Sequence, residues 1–416
     1  SLVKRKGFIT SLATPIVKAF KGKQVKIFYN LPEYEKWKDN KSKSSGWNIK
    51  YYKGLGTSTS KEAKEYFVDI NDKLINYFWE EPEMEDSEES INDINDESIL
   101  LAFEKKRADE RKKWLMNYDR DEILTYETRN ISYPSFIHKD LKHFSNDDLE
   151  RSIPHIMDGL KPSQRKILYG SILRKLDKDE VKVSQLAGFV SDKAAYHHGE
   201  ASLTQAIIGL AQDYVGSNNI NILKPNGQFG TRVNPKKDSA SPRYIFTQLE
   251  KLTPLIFRPA DNPILKEQDD DGIIIEPVNY APIIPMILIN GTKGIGTGFS
   301  TSIPQYNPID VIDNIFNLLD GNKIKNMNPW WNKFTGNIKK IDKNNFETRG
   351  TFKKENDRLI ITELPVGEWT TSYKEFLERE LDKESNKKNR KNVRFNSYTD
   401  NNTDTKVHFE LQFSKG

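Results

Sequence analysis

Apolar and polar residues alternate in short runs from Phe8 to about Phe67, most clearly in Val25-Lys26-Ile27-Phe28-Tyr29 and Trp47-Asn48-Ile49-Lys50-Tyr51-Tyr52. A period of two predicts strands. Lys53-Gly54-Leu55-Gly56-Thr57 then reads as a tight turn before a helix that begins near Ser58 or Ser60, and a charged helix is predicted over Ile99 to Leu115. Between residues 145 and 260 the period changes. Ser163 caps a helix whose Leu168, Ile172 and Leu176 share a face, Val181 to Val190 forms another, and Leu203, Ile207, Leu210 and Tyr214 mark an amphipathic third after His197-His198-Gly199-Glu200. Ile220 to Leu223 and Phe229 to Val233 predict a hairpin, because Asn226-Gly227 suits a type I′ turn. With Ser241 as N-cap and Pro242 as first helical residue, Ile245, Leu249, Leu252 and Ile256 predict one more helix, with Tyr244 in its first turn. Pro282 to Gly291 reads as a buried strand. Short strands return beyond residue 330, including Leu359 to Thr362 and Lys406 to Leu411, with the charged stretch Asp382 to Lys391 exposed between them.

Composition narrows the classes this pattern can serve. A chain of 416 residues has room for two to four domains, and no apolar run approaches the ~18 residues of a membrane span. With no secretory leader at Ser1, a soluble intracellular protein is expected. The absence of cysteine excludes disulfides, zinc fingers and thiol catalysis. Ten acidic residues and no basic one lie between Glu80 and Glu97, which predicts a mobile surface insertion. Net charge is +4, yet residues 151–250 carry 14 Lys/Arg against 9 Asp/Glu. That excess fits a polyanion partner and fits an ordinary solvated surface.

Candidate chemistry centres on Ser239-Ala240-Ser241-Pro242-Arg243-Tyr244-Ile245-Phe246. At a helix start, unpaired N–H groups attract a phosphate and favour phenolate over phenol, while Arg243 adds a bidentate-capable charge. The competing reading of Tyr244 is a packed or surface aromatic. Several helices followed by a basic hairpin have the layout of a winged helix. In Gly294-Ile295-Gly296-Thr297-Gly298, Ile295 is either a wedge between base pairs or the anchor of a glycine-rich loop.

Six strings carry a resemblance: YYKGLGTST (Tyr51–Thr59), RSIPHIMDGLKPSQRK (Arg151–Lys166), YHHGE (Tyr196–Glu200), NGQFGTR (Asn226–Arg232), SPRYIFT (Ser241–Thr247) and LINGTKGIGTG (Leu288–Gly298). In order and spacing they resemble the breakage-reunion region of eukaryotic-type type IIA DNA topoisomerases, over nearly the whole chain. The resemblance implies that Tyr244 forms a 5′-phosphotyrosyl bond, that Arg243 binds the scissile phosphate and that His198 contacts a non-bridging oxygen. It implies DNA-binding roles for Arg151, Lys161, Arg165, His197 and Lys53, and intercalation by Ile295. Asp158 matches a position in the same motif, for which a helix-turn structural role stands equally, and His155 replaces a smaller residue and is left out of the catalytic set.

The fold class expected is α+β multidomain. The C-terminal part of a TOPRIM fold is expected over residues 1–75, an acidic insertion and helical linker over 76–132, a winged-helix cleavage domain over 133–308 and a mostly β tower over 309–416. The resemblance also implies Mg2+, whose carboxylate ligands would lie upstream of Ser1 so that this chain supplies none, and ATP bound by a domain outside this sequence. Double-stranded DNA and a second copy of the chain are the expected partners, with no membrane. The expected location is the nucleus, or a cytoplasmic viral replication site for a large DNA virus. The principal rival is a non-enzymatic winged-helix protein that binds and bends DNA.

Overall fold

The computed structural model describes residues 2–40, 44–52, 58–68, 70–80, 88–124, 129–196, 198–235, 237–270, 273–385 and 395–413. It is a mixed α/β structure of two compact units, Ser1–Leu149 with Ile295–Ser300, and Glu150–Gly294 with Thr301–Gly416.

The first unit has strands where the alternation predicted them, but residues 31–39, inside the stretch read as strands, form a helix instead. Strands β1 (Ile9–Leu12), β2 (Val17–Lys21) and β3 (Gln24–Phe28), helix α1 (Leu31–Asp39), strand β4 (Asn48–Tyr51), helix α2 (Ser60–Phe67) and strand β5 (Leu74–Phe78) succeed one another. β2 lies between β3 and β4, antiparallel to both, and turns Val17 and Ala19 inward. Tyr34 and Trp37 of α1 cover Phe28, at ring separations of 5.4 and 5.1 Å. Helix α2 starts at Ser60 because Thr59 and Glu62 form a reciprocal capping box.

The acidic run departs from expectation. Residues 81–87 lie outside the described set, but from Glu88 the chain is helical, in α3 (Glu88–Phe103). Its Asn95 is fully buried and exchanges two hydrogen bonds with the backbone of Glu80, at 3.1 and 3.2 Å. The single helix predicted over Ile99–Leu115 is broken between α3 and α4 (Ala108–Met116). Arg111 donates to the carbonyls of Leu101 and Glu104, at 2.9 and 2.7 Å, and so caps the exposed end of α3 where it stops. Strand β6 (Asn130–Ser132) then joins β5 in parallel, giving the order β1-β5-β6.

The core of the second unit is helical. Helix α5 (Pro162–Leu173), strand β7 (Val181–Lys182), helix α6 (Val183–Lys193) and helix α7 (Glu200–Ala211) pack around Leu168, Val183, Leu186, Val190, Leu203 and Ile207. Ser163 is therefore the second residue of α5 and not its cap. At Gly170 a Cβ would lie 2.6 Å from Val190 Cγ2, so glycine sets how closely α5 and α6 approach.

Three predicted elements are replaced. Residues 245–249 form no helix: they alternate buried and half-buried, and Phe246–Thr247 is strand β8, antiparallel to β7. The expected 220–233 hairpin does not close on itself, because Leu223, Asn226 and Phe229 bridge instead to Leu249, Phe246 and Ser239. Pro282–Gly291 contains a short helix, Met286–Ile289, where a strand was expected; prolines at 282 and 285 remove two ladder donors.

Three two-stranded sheets follow: β9 (Glu267–Asp270) with β10 (Ile273–Pro277), β11 (Thr292–Ile295) with β12 (Ser300–Ile303), and β13 (Asn337–Lys340) with β14 (Phe346–Arg349). Strands β15 (Thr351–Glu355) and β16 (Arg358–Glu363), helix α8 (Thr370–Ser385), and strands β17 (Ser397–Asp400) and β18 (Phe409–Gln412) complete the unit. The last sheet has the antiparallel order β15-β16-β18-β17 over Leu377, Phe395 and Phe409. Its β16 and β18 are the two predicted late strands. Residues 386–391 of the charged stretch lie outside the described set. No helix among the described residues is long and apolar enough to cross a membrane.

Candidate active site

Tyr244 sits on a turn and not in a helix. Residues Pro242–Tyr244 form the turn, closed by Tyr244 N donating to Ser241 O at 2.9 Å. The first two amides of α6 are spent on this segment: Val183 N donates to Ile245 O and Ser184 N to Pro242 O, each at 3.1 Å. Those N–H groups are thus satisfied within the fold, which removes the helix-start argument for a phosphate beside Tyr244. What remains is exposure on a braced backbone. Among the described tyrosines only Tyr51 and Tyr244 are exposed, at 42% and 72%. Burial pushes the phenols of Tyr52, Tyr133, Tyr169, Tyr214, Tyr280, Tyr373 and Tyr398 upward, away from nucleophilic use. Arg243 is exposed too, its guanidinium carbon 5.9 Å from the Tyr244 ring centre.

A second cluster forms where α5 and α7 begin. A hollow of about 480 Å³ is lined by Arg151, Pro162, Ser163, Lys166, Tyr196, His198, Ser202 and others. Two helix N-termini, an arginine, a lysine and a histidine thus border one space, which they share with the carboxylate of Asp270. His198 is exposed, with its ring edge-on to Tyr196 at 5.4 Å. Lys166 was not singled out by sequence. Its ammonium reaches Ala194 O at 2.5 Å and Glu276 at 2.9 Å, and the signal available was its place in the first turns of α5. Neither Arg243 nor Tyr244 lines this hollow.

Arg165 requires a correction. It is only 5% exposed, and its Nε and Nη2 donate to the fully buried Asp158 carboxylate at 2.8 and 3.0 Å. Asp158 also accepts from Leu160 N at 3.0 Å and Tyr280 N at 2.9 Å. The pair therefore ties the 153–161 loop into the core, the structural role open to Asp158, and a DNA contact from the buried Arg165 guanidinium does not follow. Lys161 is half-buried at the head of α5, its Nζ donating to Lys293 O at 3.1 Å. His155 shapes the same loop, its Nδ1 accepting from Met157 N at 3.3 Å.

Ile295 is 72% exposed at the end of β11. The turn beyond it is fixed by Gly296 N donating to Phe299 O at 2.9 Å, and by Thr297 N donating to Asp148 Oδ2 at 3.1 Å. A large apolar side chain held outward on a tight turn has the form of a wedge. Lys53 and His197 lie outside the described residues. Among the described residues, no three His, Asp or Glu side chains converge as a metal site.

Residues 151–416 match the model of the DNA gyrase/topoisomerase IV A-subunit family, well over half of the chain. The chain belongs to the type IIA DNA topoisomerase family. Residues 12–149 match the C-terminal associated domain of TOPRIM. Relatives include DNA topoisomerase 2 of Acanthamoeba polyphaga mimivirus, 46% identical over 91% of this chain and 33% of its own length, and DNA topoisomerase 2 of Bombyx mori, 48% identical over 98% and 26%. The chain therefore spans about a quarter to a third of these topoisomerases. The Plasmodium falciparum topoisomerase II DNA-binding, cleavage and re-ligation domain superposes with a TM-score of 0.75 at 46% identity, over 99% of this chain and 54% of that one.

Proposed function

We propose that this chain carries the DNA-cleaving and religating tyrosine of a type IIA topoisomerase. The observation that carries the reading is Tyr244: the most exposed of the described tyrosines, beside an exposed arginine, on a turn braced from below by α6. Its phenolic oxygen attacks a backbone phosphorus of duplex DNA, the P–O3′ bond breaks, and the proton lost by the phenol ends on the departing 3′-oxygen. The DNA is left joined by a 5′-phosphotyrosyl bond. Because the new ester keeps the energy of the old one, religation is the same exchange reversed and needs no high-energy cofactor. Arg243 stabilises the charge that develops on the phosphoryl oxygens. His198 donates to a non-bridging oxygen, and the Arg151–Lys166–His198 hollow receives backbone phosphate, with Lys161 beside the entrance to α5.

The same reading assigns a winged-helix role to α5, α6, α7 and the segments bridged to 239–249, a tower to the β-rich residues from 309, and intercalation to Ile295. Two copies cut the two strands, Mg2+ would assist cleavage, and ATP would drive duplex passage, relaxation and decatenation; the location is nuclear or viral. Tyr244→Phe in the complete enzyme tests the central claim. It keeps the ring and loses only the nucleophilic oxygen, so covalent DNA trapping and supercoil relaxation are expected to fall by a factor of about 10⁴ or more. Retention of both activities would move the nucleophile away from Tyr244, whereas a parent enzyme that bends DNA yet neither traps it covalently nor relaxes supercoils would establish the rival, DNA bending without cutting.

A further inference from the structure

The Tyr244 turn is braced on the side opposite α6 by residues 226–228. Asn226 and Phe246 exchange both backbone hydrogen bonds, Asn226 N to Phe246 O at 3.1 Å and Phe246 N to Asn226 O at 2.9 Å. Ala240 N donates to Gln228 O at 2.8 Å on the other side of the turn, so residues 226–228 span the approach to Tyr244 and the exit from it. The Asn226 side chain reaches further, its Nδ2 donating to Glu180 Oε2 at 2.9 Å, just before β7. Between these bonds lies Gly227, at φ +115°, a conformation that L-residues rarely adopt. A Cβ there would lie 2.9 Å from Cγ2 of Ile245 and 3.6 Å from its Cα. Ile245 is the next residue after Tyr244 and is itself 2% exposed in the core. It has no free space into which to retreat.

We infer that Asn226 and Gly227 are positioning residues for the nucleophile: through Ile245 and Phe246 they set where the Tyr244 oxygen stands, without touching DNA themselves. The inference rests on the reading of Tyr244 given above. An Ala at 227 must either push Ile245, and with it the turn, or break the two Asn226–Phe246 bonds. A displacement of ~1 Å at a reacting group is enough to cost about 10²-fold in rate.

The test is single-turnover cleavage and DNA affinity, measured side by side on the complete enzyme. Gly227→Ala is expected to cleave about 10²-fold more slowly with its dissociation constant for duplex DNA within about twofold of the parent. Asn226→Ala loses only the side-chain tether to Glu180 and is expected to slow cleavage about fivefold, again at unchanged affinity; it carries the test should Gly227→Ala fail to fold. Gly321→Ala is the control for backbone strain alone, since Gly321 has φ +74° with nothing within 4 Å of its Cβ position. It is expected to lower the thermal midpoint and leave cleavage unchanged. Parental cleavage rates in the folded 226 and 227 variants, or a parallel loss of affinity and cleavage, overturn the inference. If Tyr244→Phe is inactive while both variants cleave normally, the positioning role fails and the nucleophile stands; if Tyr244→Phe still cleaves, the nucleophile assignment fails by itself.

Discussion

The turn at Ser241–Tyr244 and the first turns of helix α5 both present an arginine with a short, motif-like sequence around it, and they use it in opposite ways. Arg243 lies in solvent beside Tyr244 and keeps its five donors for something outside the chain. Arg165 is sealed inside, with a carboxylate and the Leu160 carbonyl as partners. The difference is one of desolvation. A guanidinium taken out of water must find its charge and hydrogen bonds within the protein, so Arg165 is tied to folding, while the exposed Arg243 remains available for catalysis.

Removing each arginine sharpens that contrast. Arg165→Ala leaves the Asp158 carboxylate buried without its counter-ion, and the second unit is expected to lose about 3–5 kcal/mol of stability, read from denaturant midpoints. A loss under ~1 kcal/mol would break the comparison. Arg243→Ala has no buried partner to orphan. It is expected to leave the melting temperature essentially unchanged, while cleavage falls by about 10²–10³-fold, the loss seen when one donor to a developing oxyanion is deleted. A variant that binds and cleaves like the parent would place Arg243 among ordinary surface charges.

The smallest expected effect carries the contrast into the first unit, where two histidines accept from aromatic donors. Trp114 Nε1 donates to His138 Nδ1 at 3.1 Å, and Tyr118 Oη lies 2.9 Å from His143 Nδ1. Burial holds the His138 pKa below its ordinary value, helped by the Lys142 charge and opposed by Glu122. Because the folded-state pKa is depressed, the stabilisation is full above the unfolded value of ~6.5 and is lost as pH falls through the folded one. An indole N–H cannot accept, so protonated His138 faces Trp114 donor to donor. From pH 7.5 to 5 the first unit is expected to lose about 1 kcal/mol, the net worth of a hydrogen bond. His138→Gln, which retains an acceptor, is expected to flatten that slope in hydrogen exchange of α4.

Legibility followed the range of the interactions. Strands β3 and β4 and helices α2, α5 and α7 were readable because their signals are local: alternation, a capping box and a 3.6-residue stripe. Residues 245–249 misled because Ile245 and Leu249 are both buried, as a helical face requires, while Thr247 between them is buried too and reveals the extended chain; within the predicted helix only Thr253–Ile256 is helical. Partners far along the chain decided that outcome: β7 on one side, and Asn226 and Leu223 on the other. The acidic run misled for the opposite reason, since Asn95 and Ser98 bury a polar face that composition assigns to solvent.

The order of the motif strings, the Arg243–Tyr244 adjacency, the glycines on either side of Ile295 and the family itself were all determined by the amino-acid sequence. Tertiary structure alone decided that Tyr244 stands on a turn, that Arg165 belongs to the core, that Lys166 joins His198 and Arg151, and that Gly227 presses on Ile245. The physical reason is that motif and propensity act between residues near in the chain, whereas burial and charge pairing are settled by whatever distant segment folds against them.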